Sequence, residues 1–522
     1  MNRRNFIKKS ALSLPLTIGG FEVAAAYGKE WSWLNKISMD SDKVLVLIQL
    51  NGGNDGLSTF IPLDQYSNLF NARENIIIPE MDLLAVDGVD DLRFHPGLKE
   101  MQSLFNQEKM GIVQNVGYPN PNKSHFRSTD IWTSASDSST IENTGWLGRY
   151  VEKIHPDFPD NYPNDENPDP LAITIDTLVS ATCQGSQVNM SFAIANLDKL
   201  SQLTTQENPS EIPDNAYGNE LKFIMQSIEQ SNAYGQVINA AADKGNNLSE
   251  LYPDTKLGDQ LRVVAKLISG GLRTKIYVVK LGGFDTHDAQ SDTNNPLIGK
   301  FASLMTELSQ SVGAFIDDIN KLGVAERVVA LTFSEFGRRI TSNDSYGTDH
   351  GEAAPLMIFG NLVNPIIHGE NAMIPEKATS QDNLEWKIDF RSVYGSLLMD
   401  LFDMTETDAR AIVATDFEYI KLIGKPKNEV VLRTQNLRYF SLEQNYPNPV
   451  RDLTTIDFSS RGMQLKMDLY DMNGKHVMNL IDEKMGKGIH SHVMDLGTLR
   501  SGRYFYQLRE GSQTLTKKLI KK

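Results

Sequence analysis

The 522-residue chain has one cysteine, Cys183, so no intramolecular disulfide can form and an exported life would rest on packing or on metal. It is short of basic residues: 51 Lys and Arg face 66 Asp and Glu, for a formal charge of −15. A phosphate backbone needs a basic face, so this balance argues against a nucleic-acid partner. No apolar run approaches the ~18 residues that would span a bilayer, and no transmembrane segment is expected.

What is there reads as globular, with 22% charged and 40% hydrophobic residues. The length allows one large domain plus a smaller one, or three average domains. The first 26 residues have the form of an export signal: Arg3, Arg4, Lys8 and Lys9, then "ALSLPLTIGG", then small residues ending in an Ala-x-Ala site at Ala24 and Ala26. The paired arginines resemble a twin-arginine signal.

"KVLVLIQL" (43–50), "MGIVQNVGYP" (110–119), "LAITI" (171–175), "KIYVVKLGG" (275–283) and "RVVALTF" (327–333) are apolar runs bounded by turn residues. Such runs suit strands buried on both faces. Helical spacing at 95–109, around "DIWTSAS", in "GWLGRYVEKI" and at 296–323 alternates with them. The pattern predicts a doubly wound, mostly parallel α/β domain over 27–423. A linker is expected at 424–439. Short alternating runs separated by turn pairs then predict a small all-β sandwich over 440–522.

One short stretch stands out. "SEFGRRITSNDSYGTDHGEAAPLMIFG" (334–360) joins two strand-like runs through Glu335, Arg338, Arg339, Asp349, His350 and Glu352. Acidic, basic and imidazole groups at one sheet edge suit a site for a metal and an anion.

Two resemblances follow from longer motifs. "LEQNYPNPV" (442–450), "LYDMNGKHV" (469–477) and "LRSGRYFYQL" (499–508), before a terminal "KKLIKK", resemble the C-terminal sorting domain of the type IX secretion system. This implies handling by that machinery, passage through the periplasm, and release or attachment at the outer surface. Such cargo usually crosses the inner membrane by the general route, which the paired arginines do not match. "LIQLNGGNDGLSTFIP", "SHFRSTDIW", "GGFDTHD", "FSEFGRR", "GTDHGEAAPLMIFG" and "DFRSVYGSLL" resemble, in that order, the domain of unknown function 1501 family, which is grouped by fold with alkaline phosphatases and sulfatases.

The second resemblance implies a divalent metal (Zn, Mn, Mg or Ca) and an anionic phosphate or sulfate ester substrate. It implies metal ligands at Asp55, Asp285, His287, Glu335 and His350. "TDHG" superficially matches a superfamily motif, but "RVVALTF" runs into "SEFG" instead. Glu335 is therefore aligned with that motif, Phe336 falls where an imidazole is expected, and Asp349 stands back. The nucleophile is expected at Ser124, with Ser128 one turn later as the other candidate; Ser124 suits a helix N-cap equally. His125 suits a ligand, a base or a structural histidine. Arg338 and Arg339 suit an anion clamp or pairs with nearby carboxylates. His95 reads as structural. No sulfatase Cys/Ser-x-Pro-x-Arg motif is present. That absence and Phe336 keep open a non-catalytic secreted or surface binding protein of the same fold.

Overall fold

The computed structural model describes residues 16–18, 21–23, 42–160, 162–197, 215–424 and, from 441 on, all but 443, 446, 461, 463, 473, 487 and 512. The expected export signal lies outside these residues, save for two three-residue strands at Leu16–Ile18 and Phe21–Val23. The expected linker lies outside them beyond residue 424. The chain forms two compact units: residues up to 428 without 367–370, and those four with 429–522.

The first unit is built on a sheet of seven main strands: β1 (Val44–Leu50), β2 (Met110–Gly117), β3 (Ala172–Thr174), β4 (Ser191–Ala193), β5 (Ile276–Leu281), β6 (Val328–Phe333) and, after a hairpin, β9 (Ala354–Phe359). The order across the sheet is β2–β9–β6–β1–β5–β3–β4. β6, β1, β5, β3 and β4 pair in parallel. β9 runs antiparallel to both β6 and β2, which leaves β2 parallel to the rest.

Every residue of β1 is buried. Leu45 and Leu47 face a cluster shared with α1 (His125–Ser134), α2 (Trp146–Ile154) and α5 (Phe390–Phe402). Strand alternation turns Val44, Val46 and Ile48 to the other face. There α3 (Lys256–Ser269) packs on β5 and α4 (Lys300–Lys321) packs on α3. Each such apolar side chain contributes about 1.5–3 kcal/mol on full burial. Trp146 stacks on Tyr394 at 4.3 Å and Trp132 on Phe390 at 4.4 Å. These stacks tie α1 and α2 to α5.

The charged stretch at 334–353 is more ordered than a loop. It holds a hairpin of β7 (Arg338–Ser342) and β8 (Thr348–His350), with Arg338 opposite His350. Because β9 is antiparallel to β6, the chain leaves and re-enters the sheet at the same edge.

The second unit has two antiparallel sheets. One carries strands at Leu453–Ser460 and Gly488–Asp495; the other runs through Gln464–Asp471, His476–Lys484, Gly502–Glu510 and Gln513–Lys521. Ile456, Phe458, Met467, Leu469, Tyr506 and Leu508 share its core, which makes it a sandwich.

Candidate metal centre

The parallel strands β1, β2, β5 and β6 end at one edge, where open α/β sheets place their ligands. The chain past β1 contributes Asn51–Asp55, that past β5 Phe284–His287, and that past β6 Ser334–Phe336. The chain past β2 leads through Ser124 into α1, and the hairpin delivers His350 back to the same edge. Gly52 makes the close approach possible. It has φ +123°, and a Cβ there would lie 2.2 Å from the amide nitrogen of Asp285.

His125, Asp285 and His350 present ligand atoms that all lie within 4.8 Å of one another. Asp285 Oδ1 is 3.0 Å from His350 Nε2 and 3.2 Å from His287 Nε2. Its Oδ2 is 3.4 Å from His125 Nε2. The two Nε2 atoms of His287 and His350 are 2.9 Å apart.

The far nitrogen of each ring is held by an oxygen. His125 Nδ1 meets Glu335 Oε1 at 2.9 Å, His287 Nδ1 meets Asp349 Oδ1 at 3.0 Å, and His350 Nδ1 meets the Lys123 carbonyl at 2.8 Å. A carbonyl or a carboxylate can only accept, so each Nδ1 donates to its oxygen, which leaves Nε2 as the atom each ring can offer to a cation. Three Nε2 atoms and a carboxylate thus converge on one point. Bonds of ~2.0–2.1 Å to a metal would set neighbouring ligand atoms about 3 Å apart, so the donor set fits a divalent cation.

The electrostatics agree. Burial would raise Asp285, but hydrogen bonds from Arg338 and His350 outweigh it and hold the carboxyl at about 2. Burial holds His350 below the usual imidazole range, against the pull of Asp285. Burial likewise opposes ionisation of Asp349, and the hydrogen bonds of His287 and Asn343 overcome it.

Of the residues expected from sequence, Asp285, His287 and His350 come together, and Glu335 and Asp349 hold the outer nitrogens of two rings. Glu335 Oε1 also accepts from the Gly52 amide at 2.8 Å. Asp55 is not in the group. It is 1% exposed, and Arg73 Nη1 meets its two oxygens at 2.9 and 2.7 Å. Arg338 is fully buried and faces no solvent. It donates to the carbonyls of Gly52, Gly53, Phe284 and Thr348 and to Asp285 Oδ1, so it ties the strand ends together and orients Asp285. Arg339 donates to Ser380 and Gln381.

Ser124 is the N-cap of α1, is exposed, and makes no side-chain cap bond. Ser128 is fully buried and bonded to Tyr118 and the Asn122 carbonyl. Phe336 packs against His125 at 4.9 Å and His350 at 4.5 Å. His125, left undecided among three roles by the sequence, joins the centre; the one local signal was its place at a helix start after a buried strand.

His95 lies elsewhere and is structural in its surroundings. It is 2% exposed, and its Nδ1 accepts from the Gly97 amide at 2.9 Å. Burial pushes its pKa down to about 4, only partly offset by Asp55. The unfolded chain, near 6.5, therefore binds a proton that the folded chain refuses between pH 6.5 and 4. Stability should fall as pH falls through that window, by up to about 3 kcal/mol from this residue. Urea unfolding at pH 7.5 and 4.5 checks it: His95→Gln should lose less stability on acidification than the parent, and equal losses would refute the assignment.

Residues 42–385 match the family described as Protein of unknown function (DUF1501), and residues 444–522 match the Secretion system C-terminal sorting domain. No curated protein matches the chain. Among solved structures, a protein in the alkaline phosphatase superfamily from Vibrio parahaemolyticus is similar at 9% identity, covering 84% of this chain and 82% of that one, with a TM-score of 0.31. A putative sulfatase from Bacteroides thetaiotaomicron is similar at 10% identity, with coverage of 83% and 86% and a TM-score of 0.27. A sulfatase from Pseudoalteromonas sp. is similar at 8% identity, with coverage of 88% and 85% and a TM-score of 0.28. Likenesses this distant bring no activity and no residue role to this chain. The sorting domain implies secretion or a place at the cell surface. Among the described residues no helix is long and apolar enough to cross a membrane.

Proposed function

The chain belongs to the DUF1501 family of proteins of unknown function, and on that premise we propose that it is an exported, metal-dependent hydrolase-like protein acting on an anionic phosphate or sulfate ester. The observation that carries this reading is the convergence of the Nε2 atoms of His125, His287 and His350 on Asp285. His125, Asp285 and His350 would hold the ion, with His287 beside them. A divalent ion there would supply charge to offset the ester oxygens.

The chain's own residues do the rest. Glu335, Asp349 and the Lys123 carbonyl keep the protons on the outer nitrogens. Arg338 keeps Asp285 ionised and aimed. Ser124, between Lys123 and His125, offers a hydroxyl for attack on phosphorus or sulfur; the bond to the alcohol oxygen breaks, that oxygen takes up the serine proton, and water then cleaves the serine ester to release phosphate or sulfate. The first N–H groups of α1 have no intrahelical partner and favour an anion held there. Export follows two addresses: a twin-arginine signal over 1–26 and the sorting domain from 440, with passage through the periplasm.

A second reading, a non-catalytic binding protein, draws on Phe336, whose ring packs beside His125 and His350 where another imidazole would need to be. One experiment separates the two. The full chain is melted with Zn²⁺, Mn²⁺, Mg²⁺ and Ca²⁺ and assayed on aryl phosphates and aryl sulfates. A hundredfold excess over Kd should add about 2.7 kcal/mol of stability, and turnover should vanish with chelator. A metal shift with no turnover on any ester favours the binding protein, and no metal shift at all sinks the metal reading.

A further inference from the structure

We infer that this edge takes one cation per chain and not two, because Arg73 stands permanently where a second would sit. The inference rests on the metal reading above. Two carboxylates leave neighbouring strands here: Asp285 after β5 and Asp55 after β1. They meet opposite fates.

Asp285 is half exposed and turned toward the Nε2 atoms of the imidazoles. Asp55 is closed off. Arg73 Nη1 reaches both its oxygens, Ser58 donates to Oδ2 at 2.6 Å, and Gln290 donates to Oδ2 at 2.6 Å. Both members of the ion pair are 1% exposed. Arg73 is itself locked, with Nε on the Ile340 carbonyl and Nη2 on the Arg339 carbonyl, each at 2.6 Å. A cation that entered would have to displace a guanidinium with no solvent route and leave it buried and unpaired, which is strongly unfavourable. The Arg73–Asp55 pair holds Asp55 below the usual carboxylate range although burial opposes this.

The pair also serves the open centre from a distance. Gln290, bound to Asp55, accepts from Thr286 at 2.9 Å and from Thr348 at 2.6 Å. Thr286 precedes His287, and Thr348 lies two residues before His350. Arg73, Asp55 and Gln290 thus form an internal brace under the two loops that carry ligands, with Gln290 making the contacts to the loops.

Native mass spectrometry and calorimetric titration of the full chain with Zn²⁺ test this. The parent should hold one ion. Asp55→Asn alone would leave Arg73 unpaired, so the double variant Arg73→Met/Asp55→Asn is the fair probe. Once its melting curve shows that it folds, it should still hold one ion, at an affinity within about tenfold of the parent. Asp285→Asn/His350→Ala should hold none. Two ions in the parent, or none in the folded double variant, would overturn the inference and leave the metal reading standing. No ion in the parent would overturn both.

Discussion

Asp285→Asn should abolish tight metal binding and with it any ester turnover, while the protein still folds. The carboxylate is the common neighbour of all three imidazoles and the only anion facing their Nε2 atoms in the described site. Asparagine keeps the volume but removes the charge, and its amide nitrogen would turn a donor toward lone pairs or toward Arg338. Changes to groups that merely orient ligands typically weaken metal binding 10- to 100-fold, so loss of the central ligand should exceed about 100-fold. The side chain is 47% exposed and the exchange is nearly isosteric, but it takes the carboxylate from the fully buried Arg338, so the metal-free protein should fold and melt below the parent. Glu335→Gln supplies the graded comparison. Its amide oxygen can still accept from His125 Nδ1, so metal binding should weaken by less than in Glu335→Ala. Titration with Zn²⁺ followed by intrinsic fluorescence reads both. An Asp285→Asn protein that binds as the parent does would show that the ion sits elsewhere.

The strands were legible because burial on both faces writes an uninterrupted apolar run, as in β1 and β6. Direction was not. Nothing in "PLMIF" distinguishes an antiparallel strand from a parallel one, and only the pairing of β9 with β6 and β2 reveals it. The hairpin of β7 and β8 was hidden for a related reason. Its residues are charged, and its stability comes from contacts with distant chain, such as Arg73 on the Arg339 and Ile340 carbonyls. Asp285, His287 and His350 could be nominated locally, since each follows or precedes a strand in a glycine-bearing turn. Asp55 could be nominated by the same logic, but its fate depends on an arginine in another helix that no local spacing connects to it. Arg338 carries a side chain that is usually exposed, and its burial follows from four backbone carbonyls gathered by strand ends far apart in sequence. Long-range pairing, rather than residue type, separated the ligands from the braces.

Ser124→Ala should cut turnover by roughly 10⁴-fold or more, the scale seen when a covalent nucleophile is removed, and should cost almost no stability. An N-cap serine ordinarily contributes about 1 kcal/mol through a bond to the first turn. Here the Ser124 hydroxyl makes no such bond and is exposed, so little of that is at stake. Ser128→Ala should do the opposite. Its hydroxyl is fully buried between Tyr118 and the Asn122 carbonyl. Removing it takes a buried hydroxyl from Tyr118 and from the partly buried Asn122 carbonyl and should cost about 1–3 kcal/mol, with turnover per folded molecule nearly intact. The two serines lie one helical turn apart, so a general disturbance of α1 would affect both assays in both variants. A crossed result, with turnover lost in one and stability lost in the other, separates chemistry from packing. Urea unfolding and initial rates on the ester that the parent accepts best provide the two readings. Full activity in Ser124→Ala, with metal binding unchanged, would mean that the attacking oxygen does not come from this helix.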